Sequence, residues 1–246
     1  MYCPKVPIEG CSNSIRVIFL LLLLCAIAAA QDTKVISARD VEYHKQIYED
    51  PRFLVFLLQI PPNHASLMHR HDTDMLSVFV SGGVTKSTIY GKPTVPDSFR
   101  AGDVRYRAGG FTHATENTGT TMFRAVILEF NSPAGEANAD KPADVHNCKA
   151  GEATTCVDEK YLFCTAKFCV EDVSIAPGAI WHDREFARDQ MMIAVSDYSL
   201  SYKQGGKASN TRWRKSGEAD YLSGGAEREW TNNGSLPAHF VTVIFH

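Results

Sequence analysis

The chain has 246 residues and carries 25 Lys and Arg against 28 Asp and Glu, a net charge of −3. This length suits one large domain or two small ones. No basic run stands out, which argues against nucleic acid as a partner.

Residues 17–30 form an apolar run that follows Arg16 and closes on Ala28-Ala29-Ala30. A basic flank, a short apolar stretch and a small-residue exit read as a secretory signal peptide, residues 1–30, cleaved after Ala30. The run is shorter than the roughly 20 residues a membrane span needs. The mature chain is therefore expected to be secreted or periplasmic, with no membrane contact after cleavage. A lipoprotein anchor at Cys25 has weak support, because Leu24 stands where a small residue belongs. The flank before the run is long, which leaves room for a true start further along.

Cys3, Cys11 and Cys25 leave with the signal, and Cys148, Cys156, Cys164 and Cys169 remain. An even number in an exported chain favours disulfides. Three pairings are open; the shortest-range one joins Cys148 to Cys156 and Cys164 to Cys169. The spacings match no common four-cysteine zinc pattern.

Residues 31–50 are polar and read as irregular. Short apolar segments follow at Phe53 to Ile60, Leu76 to Val80, Thr85 to Tyr90, Asp103 to Arg107 and Phe123 to Phe130. They are rich in Val, Ile and Phe and punctuated by Gly and Pro, so the expected class is all-β, a sandwich or barrel.

The chain also repeats itself at one fixed offset. Gly102 pairs with Gly217, and 217 − 102 = 115. The same offset carries Ile60 to Ile175, Pro62 to Pro177, Asp74 to Asp189, Tyr106 to Tyr221 and Asn117 to Asn232. It also carries Gly109-Gly110 to Gly224-Gly225, and Phe130 to Phe245. A single register held this long, with matches at turn residues, indicates duplication. Two barrels are expected, at 31–133 and 161–246, joined by a cysteine-containing connector at 134–160.

The first copy holds the chemistry. His69 and His71 are two apart, a spacing that on a strand turns both rings to one face. His113 follows the Gly109-Gly110 turn, which can bring a third ring close. Neutral imidazoles are the commonest protein ligands for transition metals. At the offset of 115, His69 falls on Arg184, His71 on Phe186 and His113 on Arg228. Arg cannot shed its proton to ligate a metal. The metal is thus expected in the first barrel alone, and the second barrel is read as packing, dimerising or holding an acid.

These segments resemble the cupin superfamily. Its first motif is a Gly, five residues, His-x-His, three or four residues, a Glu and later a Gly. Here His69-Arg70-His71 and Gly82-Gly83 fit, Asn63 stands in the place of the leading Gly, and the Glu is missing. The second motif, Gly-x5-Pro-x-Gly-x2-His-x3-Asn, fits at Gly102, Gly110, His113 and Asn117, with Ala108 in place of Pro. The resemblance implies two tandem double-stranded β-helix (jelly-roll) barrels and a metal on His69, His71 and His113. Asp74 is the carboxylate nearest the missing Glu and would need a bulge to reach the site. The implied cofactor is one divalent transition metal, Fe(II) favoured, with Mn, Ni, Zn or Cu as the others.

Arg105 and Arg107 alternate with Tyr106, so either the arginines or the tyrosine face the cavity. Inward arginines could fix a carboxylate. His64 reads as a loop residue and Asn117 as a turn residue. The expected function is an exported metal-dependent enzyme acting on a small organic substrate, with dioxygenase-like chemistry ahead of isomerisation, decarboxylation or lyase chemistry. The other reading is a non-catalytic bicupin that binds a small molecule or the metal. A homodimer is left open.

Overall fold

The computed structural model describes residues 35–138, 141–146, 156–208 and 211–246. The signal peptide reading and Cys148 fall outside these residues. Among them, no helix is long and apolar enough to cross a membrane.

Alternating apolar residues and Gly-bearing turns give strands nearly throughout, so the all-β reading holds. The first half forms two five-stranded sheets. One runs in the order Ile36–Ser37, His69–His71, Phe111–Asn117, Gly83–Ile89, Val95–Phe99; the other runs His44–Asp50, Phe53–Ile60, Phe123–Phe130, Met75–Phe79, Val104–Arg107. The second half repeats the design. Phe168–Ile175 and Gln190–Ala194 flank Ala238–Phe245, as Phe53–Ile60 and Met75–Phe79 flank Phe123–Phe130.

The strand His44–Asp50 corrects the irregular reading of residues 31–50. It pairs antiparallel with Phe53–Ile60 across a bulge between Gln46 and Tyr48, and most of its residues are charged or polar. A bulged, polar outer strand carries no clean period-two signal. Its counterpart in the second half is Val157–Cys164, so the second barrel's sheet begins within the segment expected to be connector.

Strand registers test the duplication directly. Phe123 faces Ile60 and Ala238 faces Ile175; Met75 faces Arg107 and Gln190 faces Leu222; Thr85 faces Asn117 and Leu200 faces Asn232. Each pair preserves the offset of 115. One strand departs from it. His69 faces His113, but the residue facing Arg228 is Asp183, not Arg184. The second copy is slipped by one residue at this strand, which corrects the expected gapless alignment.

Turn chemistry repeats as well. The Asn117 side-chain amide donates to the carbonyls of Ile60 and Thr121, both at 2.8 Å. Asn232 does the same to Ile175 at 2.8 Å and Leu236 at 2.9 Å. Asn63, in the place of the motif's leading Gly, has φ 59°, a left-handed conformation Asn tolerates. Gly109 is required by close approach: a Cβ there would sit 2.6 Å from Thr73 Cα. Gly109→Ala should cost about 2 kcal/mol through overpacking against backbone, read as a lower urea midpoint.

The two halves share one apolar core. Phe53 stacks on Phe245 with centroids 4.7 Å apart, and Phe130 stacks on Phe168, also at 4.7 Å. Tyr48 lies 5.5 Å from Tyr221, and Phe163 lies 6.2 Å from Tyr106. Arg52 of the first half donates to Tyr221 at 2.6 Å and to Asp189 at 3.1 Å in the second. Cys164 and Cys169 form a disulfide across a hairpin, and Cys156 is also disulfide-bonded.

Candidate metal centre

The strand His69–His71 alternates buried, exposed, buried. Both histidines are 1% exposed, while Arg70 points out to Asp72. The neighbouring strand brings His113 opposite His69, and the other sheet contributes His44. Ring centroids lie 4.6 Å apart for His69 and His113, 4.9 Å for His69 and His71, 4.9 Å for His44 and His69, and 5.1 Å for His71 and His113. The three expected imidazoles therefore come together, with a fourth that sequence reasoning missed. One nitrogen each from His44, His69 and His71 lie within 4.8 Å of one another.

Hydrogen bonds fix which nitrogens face inward. His69 Nδ1 is 2.8 Å from the Leu67 carbonyl, and a carbonyl only accepts, so Nδ1 carries the proton. His69 Nε2 is then a bare lone pair, buried and without a partner. His71 Nδ1 donates to Glu129 Oε1 at 2.5 Å, which leaves its Nε2 bare, 3.1 Å from His113 Nε2. His44 Nδ1 and His113 Nδ1 are buried without partners as well. Buried polar atoms are normally satisfied, and three imidazoles with unsatisfied nitrogens, packed against a fourth, fit a cation. Glu129 acts behind His71, the arrangement by which a carboxylate fixes a ligand's tautomer and raises its basicity.

Burial, with repulsion from neighbouring rings, holds His44, His69 and His113 neutral. The His44 pKa is pushed down to about 3 and that of His113 to about 2. Burial pushes His69 to about 4, against the opposing pull of its bond to Leu67. Neutral imidazole is the form that ligates. In metal-free protein the unfolded chain takes up protons below pH 6.5 that the folded rings refuse. The stability is complete above that pH and is lost as pH falls toward 4, by up to about 1.4 kcal/mol per pH unit per histidine. Urea midpoints measured across that range check it.

Asp74 lies elsewhere. Its carboxylate accepts from the Tyr106 hydroxyl at 2.6 Å, Gly109 N at 2.9 Å and Ala134 N at 2.8 Å. Asp189 does the same with Tyr221 at 2.6 Å and Gly224 at 2.9 Å. This carboxylate ties the turn, which corrects its expected place as a fourth ligand and that of Tyr106 as a substrate contact. The arginines are the residues that face the hollow. Arg105 is held bidentately by Asp97, and Arg107 lies 4.8 Å over the Phe111 ring. His64 is a loop residue, its Nδ1 2.8 Å from the Pro62 carbonyl.

The hollow has a volume of about 140 Å³. Its walls are mostly apolar, among them Leu58, Ile60, Phe123 and Ile127, with Arg105 and Arg107 also lining it.

The second barrel fills the equivalent place differently. Asp183 and Arg228, each 3% exposed, pair at 3.1 Å, and Gln190 Nε2 donates to both Asp183 oxygens at 3.0 and 3.1 Å. Through the one-residue slip, Asp183 rather than Arg184 occupies the place of His69. Arg184 instead grips Glu159, which stands at the position of His44. Two sequence signals were available for what was missed. His44 changes to Glu159 in the copy that lost the other histidines. Glu129 interrupts an apolar strand, where a buried carboxylate demands a partner.

No family model matches the sequence, nor does any curated protein. Among solved structures, AerE from Microcystis aeruginosa aligns with TM-score 0.57 at 12% identity, covering 82% of this chain and 97% of that one. A cupin 2 conserved barrel domain protein from Leptotrichia buccalis aligns with TM-score 0.52 at 13% identity, covering 85% and 90%. Bacillus subtilis oxalate decarboxylase, in a study of its Mn(II) centres, aligns with TM-score 0.51 at 13% identity, covering 78% and 68%. At these identities the likeness concerns the fold.

Proposed function

The chain has the cupin fold twice over, and from that premise we propose an exported metalloenzyme acting on a small organic substrate in its first barrel. The observation that carries this reading is the set of buried, neutral, partnerless imidazole nitrogens of His44, His69 and His113 lining an apolar hollow, with His71 against them. His69 and His71 would hold one divalent transition metal through Nε2, with His44 and His113 completing the donor set. Imidazole suits Fe, Ni, Cu and Zn better than Mn, and Fe(II) is the favoured occupant. A metal bound there would supply Lewis acidity or a site for dioxygen.

The residues around it have separate tasks. Glu129 keeps the proton on His71 Nδ1, so that Nε2 stays available. Leu58, Ile60, Phe123 and Ile127 exclude water, which strengthens electrostatic contacts inside. Arg107 leaves its guanidinium for a substrate carboxylate, whereas Arg105 is engaged by Asp97. Dioxygenase-like chemistry is the first reading; isomerisation, decarboxylation and lyase chemistry follow. The alternative is a non-catalytic bicupin that binds a small molecule or the metal itself.

Oxygen consumption separates these readings. Fe(II)-loaded protein, offered a panel of small organic acids, should take up O2 with at least one of them, and His69→Ala should abolish the uptake. Tight zinc binding with no turnover of any acid under any divalent metal would support the binding protein instead.

A further inference from the structure

We infer that the hollow of the second barrel is a metal-independent binding site for a small organic carboxylate. This hollow has a volume of about 170 Å³ and occupies the place of the first barrel's cavity, with its chemistry changed. By the offset of 115, Arg212 stands in place of Asp97, Arg228 in place of His113 and Trp230 in place of Thr115. A carboxylate, a metal-binding ring and a hydroxyl have given way to two guanidiniums and an indole.

Trp230 points to a ligand. It is 1% exposed, and its Nε1 is buried without a hydrogen-bond partner. An indole N–H can only donate, and leaving a buried donor unmade is unfavourable. An acceptor entering the hollow would satisfy it. The other tryptophan buried in this barrel, Trp181, already donates to Glu159 at 2.7 Å.

Charge selects the class of acceptor. Arg228 is offset by Asp183 and donates to the Ser223 carbonyl. Behind Arg212, which lines the hollow, Arg214 grips both oxygens of Asp220 at 2.6 Å, and Arg212 Nη1 stands farther from the same carboxylate, at 3.7 Å. Two guanidiniums share one carboxylate, so this side of the hollow keeps one positive charge. A monoanion matches it, and a phosphate dianion exceeds it. Arg212 lies 5.0 Å over the Tyr202 ring, which in turn sits 4.8 Å from Trp230. With Leu222 these rings offer an apolar wall for the body of the acid.

The test uses the full chain carrying His69→Ala and stripped of metal by a chelator, so that the first barrel contributes no metal-bound anion. Benzoate, pyruvate and inorganic phosphate are titrated calorimetrically at fixed ionic strength. The expected result is one carboxylate per chain, with affinity reduced at least tenfold by Trp230→Phe and again by Arg212→Gln, as for loss of a hydrogen bond to a charged group. Arg212 is partly exposed, so its substitution carries the test even where Trp230→Phe unfolds. Absence of carboxylate binding, binding that survives both substitutions, or tighter binding of phosphate would overturn the assignment. Carboxylate binding seen in the unsubstituted chain but lost with His69→Ala would place the acid in the first barrel and overturn it too.

Discussion

A His69→Ala chain, grown and purified beside the parent, should come out without its metal. The parent should hold one ion per chain, since the second barrel has an ion pair where the first has imidazoles. His69 contributes a lone pair that no protein group satisfies, and the His69 ring meets His44, His71 and His113. His44→Ala should deplete the metal as well, because one nitrogen each from His44, His69 and His71 share the hollow. Glu129→Gln should act more gently, weakening metal affinity roughly 10- to 100-fold as second-layer partners of ligating histidines do. Metal analysis by plasma mass spectrometry reads all three. Unchanged content in His69→Ala, or close to two ions per chain in the parent, would reject the assignment.

Arg228→Leu is expected to be the most destabilising single change in the second barrel. It leaves Asp183 buried beside Gln190 with its counter-charge removed. Burial already raises the Asp183 pKa, against the opposing pull of Gln190 and Arg228. Breaking a buried pair from one side costs about 3–5 kcal/mol, whereas replacing both partners by apolar groups is often neutral. Arg228→Leu with Asp183→Leu should therefore recover much of the loss. Equilibrium urea unfolding of both variants measures the difference. A double variant as unstable as the single one would show that the pair contributes net stability.

Much of this was legible in the sequence, and the reasons are physical. Strands with one face in a core show themselves by alternation, and glycines at tight turns mark the strand ends. That is why the repeat, the all-β class and the convergence of His69, His71 and His113 could be read directly. Asp74 could not be placed, because a carboxylate that ties a turn and one that binds a metal look alike until the hydrogen bonds to Tyr106, Gly109 and Ala134 are known. His44 was hidden on a polar, bulged strand whose partner lies across a turn. The slip at Asp183 was hidden because the matches on either side keep the same offset, so one residue lost and regained leaves no trace in them.

The contacts between the two barrels are symmetric. Phe53 meets Phe245 as Phe168 meets Phe130, and Tyr48 meets Tyr221 as Phe163 meets Tyr106: each pair recurs with the roles of the halves exchanged. Such exchange is the mark of an isologous contact, the kind two identical subunits make about a two-fold axis. The two halves thus meet, inside one polypeptide, as two copies of a single-barrel protein would meet in a dimer. In such a pair one half can change the residues inside its barrel, as Asp183 and Arg228 differ from the histidines of the first, while its surface is still needed as the other's wall.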